Sequence, residues 1–310
     1  ADVILGAGEV DYLPEGETGF FGVEGTRTDD RNLIDEAIAD GYEVVYTREQ
    51  LEALPADTEK VLGIFAPEDT YNDLTEQQLK DAGLFDESLP LDEQLITYGQ
   101  PDLPTPNPDP VSTGEMMEFT LGLDKFVNAE DGFFIVAEEE ATDNFPNNGN
   151  AGGGIEATIR ADAAIGVAQD FVDANPNTLL ITAADSAAGG IEIDDDGGSA
   201  GSTREDGPFG NDGDPFFTGG EDANGDIFSF TAEWGTLSDV AGSIVTKAYG
   251  LNSEQLSSTV DNTGIYRIMY ETLFDRNPEG EIETLDYVEV EEPQNIPDLK
   301  LHPFVRQGIQ

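Results

Sequence analysis

The stretch that decides the fold is residues 132–147, which read GFFIVAEEEATDNFPN. It begins as an apolar run rich in aromatic and branched side chains, and it ends in acids, Asn and Pro. A short apolar run bounded by turn residues predicts a fully buried β-strand. Acidic residues at the carboxyl end of such a strand lie where open α/β folds bind their ligands. The stretch therefore predicts a buried strand with a metal or phosphate site at its tip.

Strand and helix patterns alternate on both sides of this stretch. A helical pattern covers Gly152 to Ala174, and a second apolar run, Thr178 to Asp185, ends in another acid. Earlier apolar runs occur at Ala1 to Gly8, Tyr42 to Tyr46 and Val61 to Phe65, with helical patterns between them. This alternation predicts an α/β fold with a mostly parallel sheet flanked by helices.

Two acidic stretches, residues 66–110 and 191–226, interrupt the pattern with Pro, Gly and Asp, and we predict that they are surface insertions. After the first of them, Ser112 and Glu115 have capping-box spacing, which predicts a helix that runs to about Val127.

The composition is extremely acidic, with 66 Asp and Glu against 13 Lys and Arg and a net charge of −53. Such charge destabilises a compact chain at low ionic strength, whereas molar salt shortens the Debye length to about 3 Å. Because 38% of the residues are hydrophobic and fall into regular patterns, the chain is predicted to be folded rather than disordered. The charge favours a halophilic or high-salt extracellular setting and disfavours nucleic acid as a partner.

Residue types exclude several kinds of chemistry. There is no cysteine, and the one histidine, His302, lies near the end of the chain. A His-rich zinc site and a Ser-His-Asp triad in the core are therefore not expected. No run of 18 apolar residues occurs, so no membrane span is predicted.

The quoted stretch resembles the metal-binding core of alkaline phosphatases, in which a G-F-F-x-x-V-E strand is followed by Asp and then His. Glu138 and Asp143 match the two acids, and Asn147 stands at the His. The family's T-A-D-H-x-x-G-G resembles residues 182–190, where Asp185 keeps the acid and Ser186 replaces His. The family's third His opens H-T-G-x-D-V-P-V-x-A-Y-G, and Asp239 opens the similar segment here.

The resemblance implies one constellation of metal ligands whose three histidines are all replaced. Its members are Glu138, Asp143, Asn147, Asp185, Ser186 and Asp239. Only oxygen ligands remain, and such a set suits Ca²⁺ or Mg²⁺ and suits zinc poorly. The other interpretation is a decayed site whose acids are solvated in salt. No catalytic residue is predicted, because Ser186 has no evident His or Lys base.

A second candidate calcium site begins at Asp222. Asp222, Asn224 and Asp226 occupy the first, third and fifth positions of an EF-hand-like loop, and Glu233 occupies the twelfth. The sixth position holds Ile227 rather than the expected Gly, and Asp-rich sequence produces such spacing easily.

The resemblance covers residues 1–275 and only the later half of an alkaline phosphatase, so residues 276–310 are predicted to form a separate strand-like tail. The family's first half, with its nucleophilic Ser, is not matched. Two functions follow as hypotheses: a catalytically degenerate domain with a structural or binding role, or a metal-dependent phosphomonoesterase whose first half lies on another chain. In both cases we expect a partner, either that missing half or further copies of this chain that pair through exposed strands.

Overall fold

The computed structural model describes residues 1–70, 78, 111–194, 217–221 and 227–276, without the side chains at 151, 192–194, 217–221 and 227–233. The chain divides into two compact units, Ala1–Val260 and Asp261–Gln310. The large insertion predicted at 66–110 and the tail predicted at 276–310 lie mostly outside the described residues.

The first unit opens with a three-stranded parallel sheet. Its strands are β1 (Val3–Gly6), β2 (Glu43–Val45) and β3 (Val61–Ile64), in the order β1-β3-β2 with Val3 opposite Val61. Three short helices connect or follow these strands: α1 (Glu9–Tyr12), α2 (Leu33–Ala39) and α3 (Arg48–Glu52). The predicted parallel α/β arrangement is confirmed for this part of the chain.

The core lies on the two faces of the central strand β3, all of whose residues are buried. Val61 and Phe65 pack on one face with Val45, Leu51 and Val111. Leu62 and Ile64 pack on the other face with Leu13 and Ile34. Successive side chains of a strand point to opposite faces, so a continuous apolar run is required when both faces are covered.

Side-chain caps fix where the helices begin. The predicted capping box is confirmed: the Glu115 backbone N–H donates to Ser112 Oγ, and the Glu115 carboxylate accepts from the Ser112 backbone N–H at 2.8 Å. The predicted single helix is wrong in extent, because buried Leu123 adopts an extended conformation with ψ 137°. It divides the segment into α4 (Thr113–Gly122) and α5 (Asp124–Val127).

The helix α6 (Ala141–Asn147) and the long helix α7 (Ala151–Ala174) follow, and α7 packs against both α4 and α6. The Asn150 side chain caps α7 by accepting the Gly153 backbone N–H at 2.7 Å. Gly114 of α4 faces α7, and a Cβ atom there would lie 3.6 Å from the backbone nitrogen of Ala164, which is an ordinary contact distance.

The remaining strands of the first unit pair antiparallel. The predicted strand after α7 is confirmed as β4 (Leu179–Ala183), which pairs with β8 (Thr246–Gly250). A three-stranded sheet has the order β5-β7-β6, formed by β5 (Ile191–Asp194), β6 (Phe217–Glu221) and β7 (Ile227–Trp234). The described parts of residues 191–226, the stretch predicted to be a surface insertion, form strands.

The buried strand predicted at residues 132–136 is not observed. Among the described residues this segment has no ladder partner, and the side chains of Phe134 and Val136 are 60% and 77% exposed. Exposure still alternates along it, with Phe133 and Ile135 half-buried, which is typical of a strand with one covered face. The sequence has the composition of a buried strand, but the described part of the chain supplies no neighbour to cover it.

The second unit contains α8 (Asn262–Phe274). Asp261 caps it by accepting the Gly264 backbone N–H at 3.0 Å, and Asp275 ends it in the left-handed conformation. Every helix in the described part of the chain is too short or too polar to cross a bilayer.

Candidate metal centre

Helix α6 positions the first two residues of the site. Asp143 and Asn147 are four residues apart and so lie on one face of the helix. Asn147 Nδ2 donates to Asp143 Oδ1 at 3.1 Å, and both side chains are half-buried.

The loop after β4 brings the other candidate ligands to this helix. Asp185 and Ser186 follow β4 directly, and Ala187 forms an isolated antiparallel bridge with Val240. That bridge places Asp239 beside Ser186, whose hydroxyl donates a hydrogen bond to the Asp239 carboxylate. Five of the six residues of the predicted constellation are therefore neighbours in space.

Asn147 joins the three segments through one amide group. Its Nδ2 donates to Asp239 Oδ1 at 2.9 Å as well as to Asp143, and its Oδ1 accepts the Gly189 backbone N–H at 2.7 Å. Both ends of the amide are thus used, which fixes its orientation relative to the two carboxylates.

Gly189 makes this approach to α6 possible. Its φ is +64°, and a Cβ atom there would stand 2.3 Å from the carbonyl oxygen of Pro146 and 2.8 Å from the indole of Trp234. Gly189, noted in the sequence only as part of a motif, is required because the loop backbone lies directly against the end of the helix.

The two carboxyl groups have opposite pKa shifts. Burial raises the pKa of Asp143, and the neighbouring Asp239 and the negative charge of Asp185 add to the rise. Hydrogen bonds from Asn147, Asp143 and Ser186 hold the pKa of Asp239 below its usual value. The pair is arranged to share one proton, with Asp143 as its holder, since two ionised carboxylates in contact repel each other.

The atoms that the cluster offers as metal ligands determine which metal ion it can bind. Tetrahedral zinc sites use imidazole or thiolate, and the cluster offers neither, so zinc does not fit. Carboxylate and amide oxygens are ligands of Ca²⁺ and Mg²⁺, and a cation would replace the shared proton between Asp143 and Asp239. Within the described ranges no three acidic or histidine side chains converge on one point, so Ser186 and water would complete the coordination, while the Asn147 amide holds the two carboxylates in place.

Glu138, the sixth predicted member, lies apart from this cluster. It is exposed, and its charge acts on Glu140, whose pKa is raised by burial and then by Asp69 and Glu138. The side chain of adjacent Glu139 is only 5% exposed. Its carboxylate accepts from Thr113 Oγ1 at 2.5 Å and pairs with Arg160 at 3.4 Å.

The structure does not describe the side chains of the EF-hand-like candidate site. Asp222, Asn224 and Asp226 lie outside the described residues, and Glu233 is described only as part of the backbone of β7. The prediction of calcium at this loop stays a prediction.

Comparisons with known proteins agree with the resemblance. The alkaline phosphatase family model matches residues 1–204. The repressible alkaline phosphatase of Saccharomyces cerevisiae is 24% identical over 201 residues, which make up 61% of this chain and 30% of the yeast protein.

Solved alkaline phosphatases share the fold. A histidine variant of the TAB5 enzyme with Mg bound in its M3 site is 17% identical, with a TM-score of 0.55 over 88% of this chain and 60% of that chain. The cold-active enzyme from Shewanella sp. is 19% identical, with a TM-score of 0.55 over 88% of this chain and 65% of its own. The chain spans less than two thirds of the length of these relatives. On the family match over residues 1–204, this chain belongs to the alkaline phosphatase family.

Proposed function

We propose that this chain is a hard-cation-binding domain of the alkaline phosphatase family that does not hydrolyse phosphate monoesters on its own. Ca²⁺ or Mg²⁺ binds between Asp143 and Asp239, and the domain has a structural or binding role. The observation that carries the proposal is the amide of Asn147, which holds two carboxylates from distant parts of the chain against each other.

The chemistry of the cluster supports cation binding over a solvated decayed site. Asp143 is half-buried and its pKa is raised, so its ionised form is disfavoured unless a positive charge lies near it. A divalent cation supplies that charge without the strict geometry that zinc requires. When bound, the ion would polarise an oxygen ligand or water; the chain's own residues hold and orient it.

The same residues do not support independent catalysis. The resemblance assigns the nucleophilic Ser to a half of the family that this sequence does not match. Ser186 belongs to the cluster, but it donates to Asp239, and its sequence neighbours Asp185 and Ala187 are not His or Lys residues that could serve as its base.

The second candidate function is a phosphomonoesterase assembled from two parts. This hypothesis is favoured because the chain covers only 60% and 65% of the chain lengths of the two solved enzymes. In that case the cluster would contribute the cation site, and the other part would contribute the nucleophile.

The net charge of −53 supports a high-salt setting outside the cell. At that charge, self-repulsion favours expansion at low ionic strength, and molar salt screens it.

A hydrolysis assay tests the proposal. The chain is expressed alone, refolded in molar KCl, and incubated with a chromogenic phosphate ester and Ca²⁺, Mg²⁺ or Zn²⁺. We expect no turnover above that of an Asp239→Asn variant. Turnover that a chelator abolishes and that Asp239→Asn lacks would contradict the claim and establish the chain as a phosphatase in its own right.

A further inference from the structure

Trp234, the last residue of β7, is the only tryptophan of the chain. It is 6% exposed, so its indole is buried. The cluster of Asp143, Asn147 and Asp239 does not include it. Its ring nevertheless lies against two of the loops that hold the cluster together, and this placement gives it a further role.

The two rings of the indole contact different loops. A Cβ atom at Gly149, two residues after Asn147, would lie 3.5 Å from Cδ1 and 3.6 Å from Nε1 of the five-membered ring. A Cβ atom at Gly189 would lie 2.8 Å from Cε3 of the six-membered ring. The indole of Trp234 therefore packs against both the end of α6 and the loop after β4.

Backbone hydrogen bonds fix the loop after β4 to the residues that follow Trp234. The Gly189 carbonyl accepts the backbone N–H groups of Gly235 and Thr236 at 3.0 and 3.1 Å. The Gly189 N–H donates to Asn147 Oδ1 at 2.7 Å. Gly189 is thus bonded to α6 on one side and to the start of the segment that carries the second carboxylate on the other.

The far end of that segment is fixed as well. Ala187 and Val240 exchange backbone hydrogen bonds at 3.2 and 3.1 Å, immediately after Asp239 in the sequence. Residues 234–240 are therefore held at both ends against the loop after β4. The position of Asp239 relative to α6 depends on how this loop packs.

The polar group of the indole does not account for its burial. Among the described residues no atom accepts a hydrogen bond from Trp234 Nε1, although this nitrogen is buried. Buried Trp N–H groups usually have a partner, and an unpaired buried donor is unfavourable. The contacts of the two rings with the two loops therefore explain why an indole occupies this position.

We propose that Trp234 is a positioning residue of the cation site. Its indole sets the separation between α6, which carries Asp143, and residues 235–240, which carry Asp239. It thereby sets the affinity of the two carboxylates for Ca²⁺ or Mg²⁺, as groups outside the ligand shell do at metal sites. The inference rests on the proposed function, because the affinity it concerns is that of the Asp143–Asp239 pair.

Hydrogen exchange in chelator tests the positioning without any cation. The full chain with Trp234→Phe, which has one ring instead of two, is compared in molar KCl with the parent and with Phe65→Leu. Phe65 is fully buried in the core beside β3 and serves as the control for lost packing. Relative to the amides of β3, the Gly189 amide should exchange about tenfold faster in Trp234→Phe. That ratio should not rise in Phe65→Leu.

Calorimetric titration tests the effect on affinity. Trp234→Phe should bind Ca²⁺ about tenfold more weakly than the parent, whereas folded Phe65→Leu should bind like the parent. The fluorescence of the parent gives a second readout, because its one tryptophan lies beside the site. Ca²⁺ should change this emission in the parent and should leave it unchanged in Asp239→Asn.

A reciprocal variant leaves Trp234 in place and keeps the test decisive if Trp234→Phe does not fold. Asn147→Ala removes the acceptor of the Gly189 N–H, so the loop should pack less closely on the indole. In chelator, the emission of Trp234 should then shift to longer wavelength, since the ring is more exposed to water. Phe65→Leu should leave the emission unchanged.

Two results would overturn the proposal. The first is an unchanged ratio of Gly189 to β3 exchange in Trp234→Phe together with unchanged emission in Asn147→Ala, which would make the indole a packing residue only. The second is an equal loss of Ca²⁺ affinity in Trp234→Phe and Phe65→Leu, which means general destabilisation. A parent chain that binds neither Ca²⁺ nor Mg²⁺ would contradict the proposed function and the affinity claim together, and faster Gly189 exchange would still support the positioning of the loops.

Discussion

Asn147 donates its side-chain N–H to Asp239 at 2.9 Å across 92 residues of sequence. The same nitrogen donates to Asp143 at 3.1 Å. This amide stands where the family resemblance predicts an imidazole, and it hydrogen-bonds two carboxylates. The consequences can be measured through the stability of the chain and its response to cations.

Asp143→Asn should stabilise the chain in chelator and weaken its response to Ca²⁺. The raised pKa of Asp143 means that ionisation of this carboxyl is disfavoured in the folded state. The stability that the protonated carboxyl contributes is therefore lost as pH rises from about 3.9 towards neutrality. Removing the charge should raise the melting temperature at pH 7 by about 1–3 °C in chelator. In millimolar Ca²⁺ the parent should gain more than the variant.

The control for that comparison is Asp162→Asn, an exposed position on α7. It removes the same charge from a chain with a net charge of −53 without touching the cluster. If both variants shift the melting temperature equally in chelator and in Ca²⁺, general charge reduction explains the effect and the pair has no special role.

Gly189→Ala should destabilise the chain by roughly 2–4 kcal/mol, because it combines a positive φ with overlap against the Pro146 carbonyl. Gly166→Ala, within α7 and with open space around it, should instead stabilise by about 0.5–1 kcal/mol. Denaturant unfolding in molar KCl measures both. Equal and small effects would show that the loop is not held against α6.

Glu9→Ala should free the loop at Phe20 and Phe21. The buried Glu9 side chain accepts the backbone N–H groups of these residues at 2.7 and 3.0 Å, and losing both hydrogen bonds should destabilise by roughly 2–4 kcal/mol. Glu24→Ala is the matched control, since Glu24 is exposed and accepts one backbone N–H, from Gly16. Faster amide exchange confined to residues 20–21 in Glu9→Ala is the local readout, and unchanged exchange there would be inconsistent with this role.

The melting temperature should rise steeply with KCl up to molar concentration. The cause is the screening of self-repulsion at a net charge of −53, which operates on the whole surface rather than on one pair. Sucrose at equal osmolarity provides a comparison without screening. A melting temperature that is the same at low and molar KCl would exclude the high-salt interpretation.

Local signals in the sequence predicted the elements that depend on local interactions. The capping box at Ser112 and Glu115 and the apolar runs of β1 and β3 are confirmed, because caps and core strands are determined by neighbouring residue types. The antiparallel pairing of β4 with β8 was not predicted, because the partner strand is distant in sequence and strand direction leaves no local signature.

The sequence predicted which residues belong to the site but not how those residues contact one another. Motif matching placed Asp143, Asn147 and Asp239 together, whereas the contact of Asn147 with Gly189 depends on a backbone approach that only the fold shows. Residues 132–136 were predicted to be buried from composition alone. Their exposure arises because burial of a strand depends on neighbours that the described chain does not supply.

Calorimetric titration of the chelator-treated chain with Ca²⁺, Mg²⁺ and Zn²⁺ tests the central claim most directly. The account predicts one site for Ca²⁺ or Mg²⁺ that weakens at least about tenfold in Asp239→Asn, is unchanged in Asp162→Asn, and loses affinity as pH falls and Asp143 is protonated. It predicts no tight zinc site. Stoichiometric zinc that survives dialysis, or Ca²⁺ and Mg²⁺ binding that does not respond to Asp239→Asn, would contradict it.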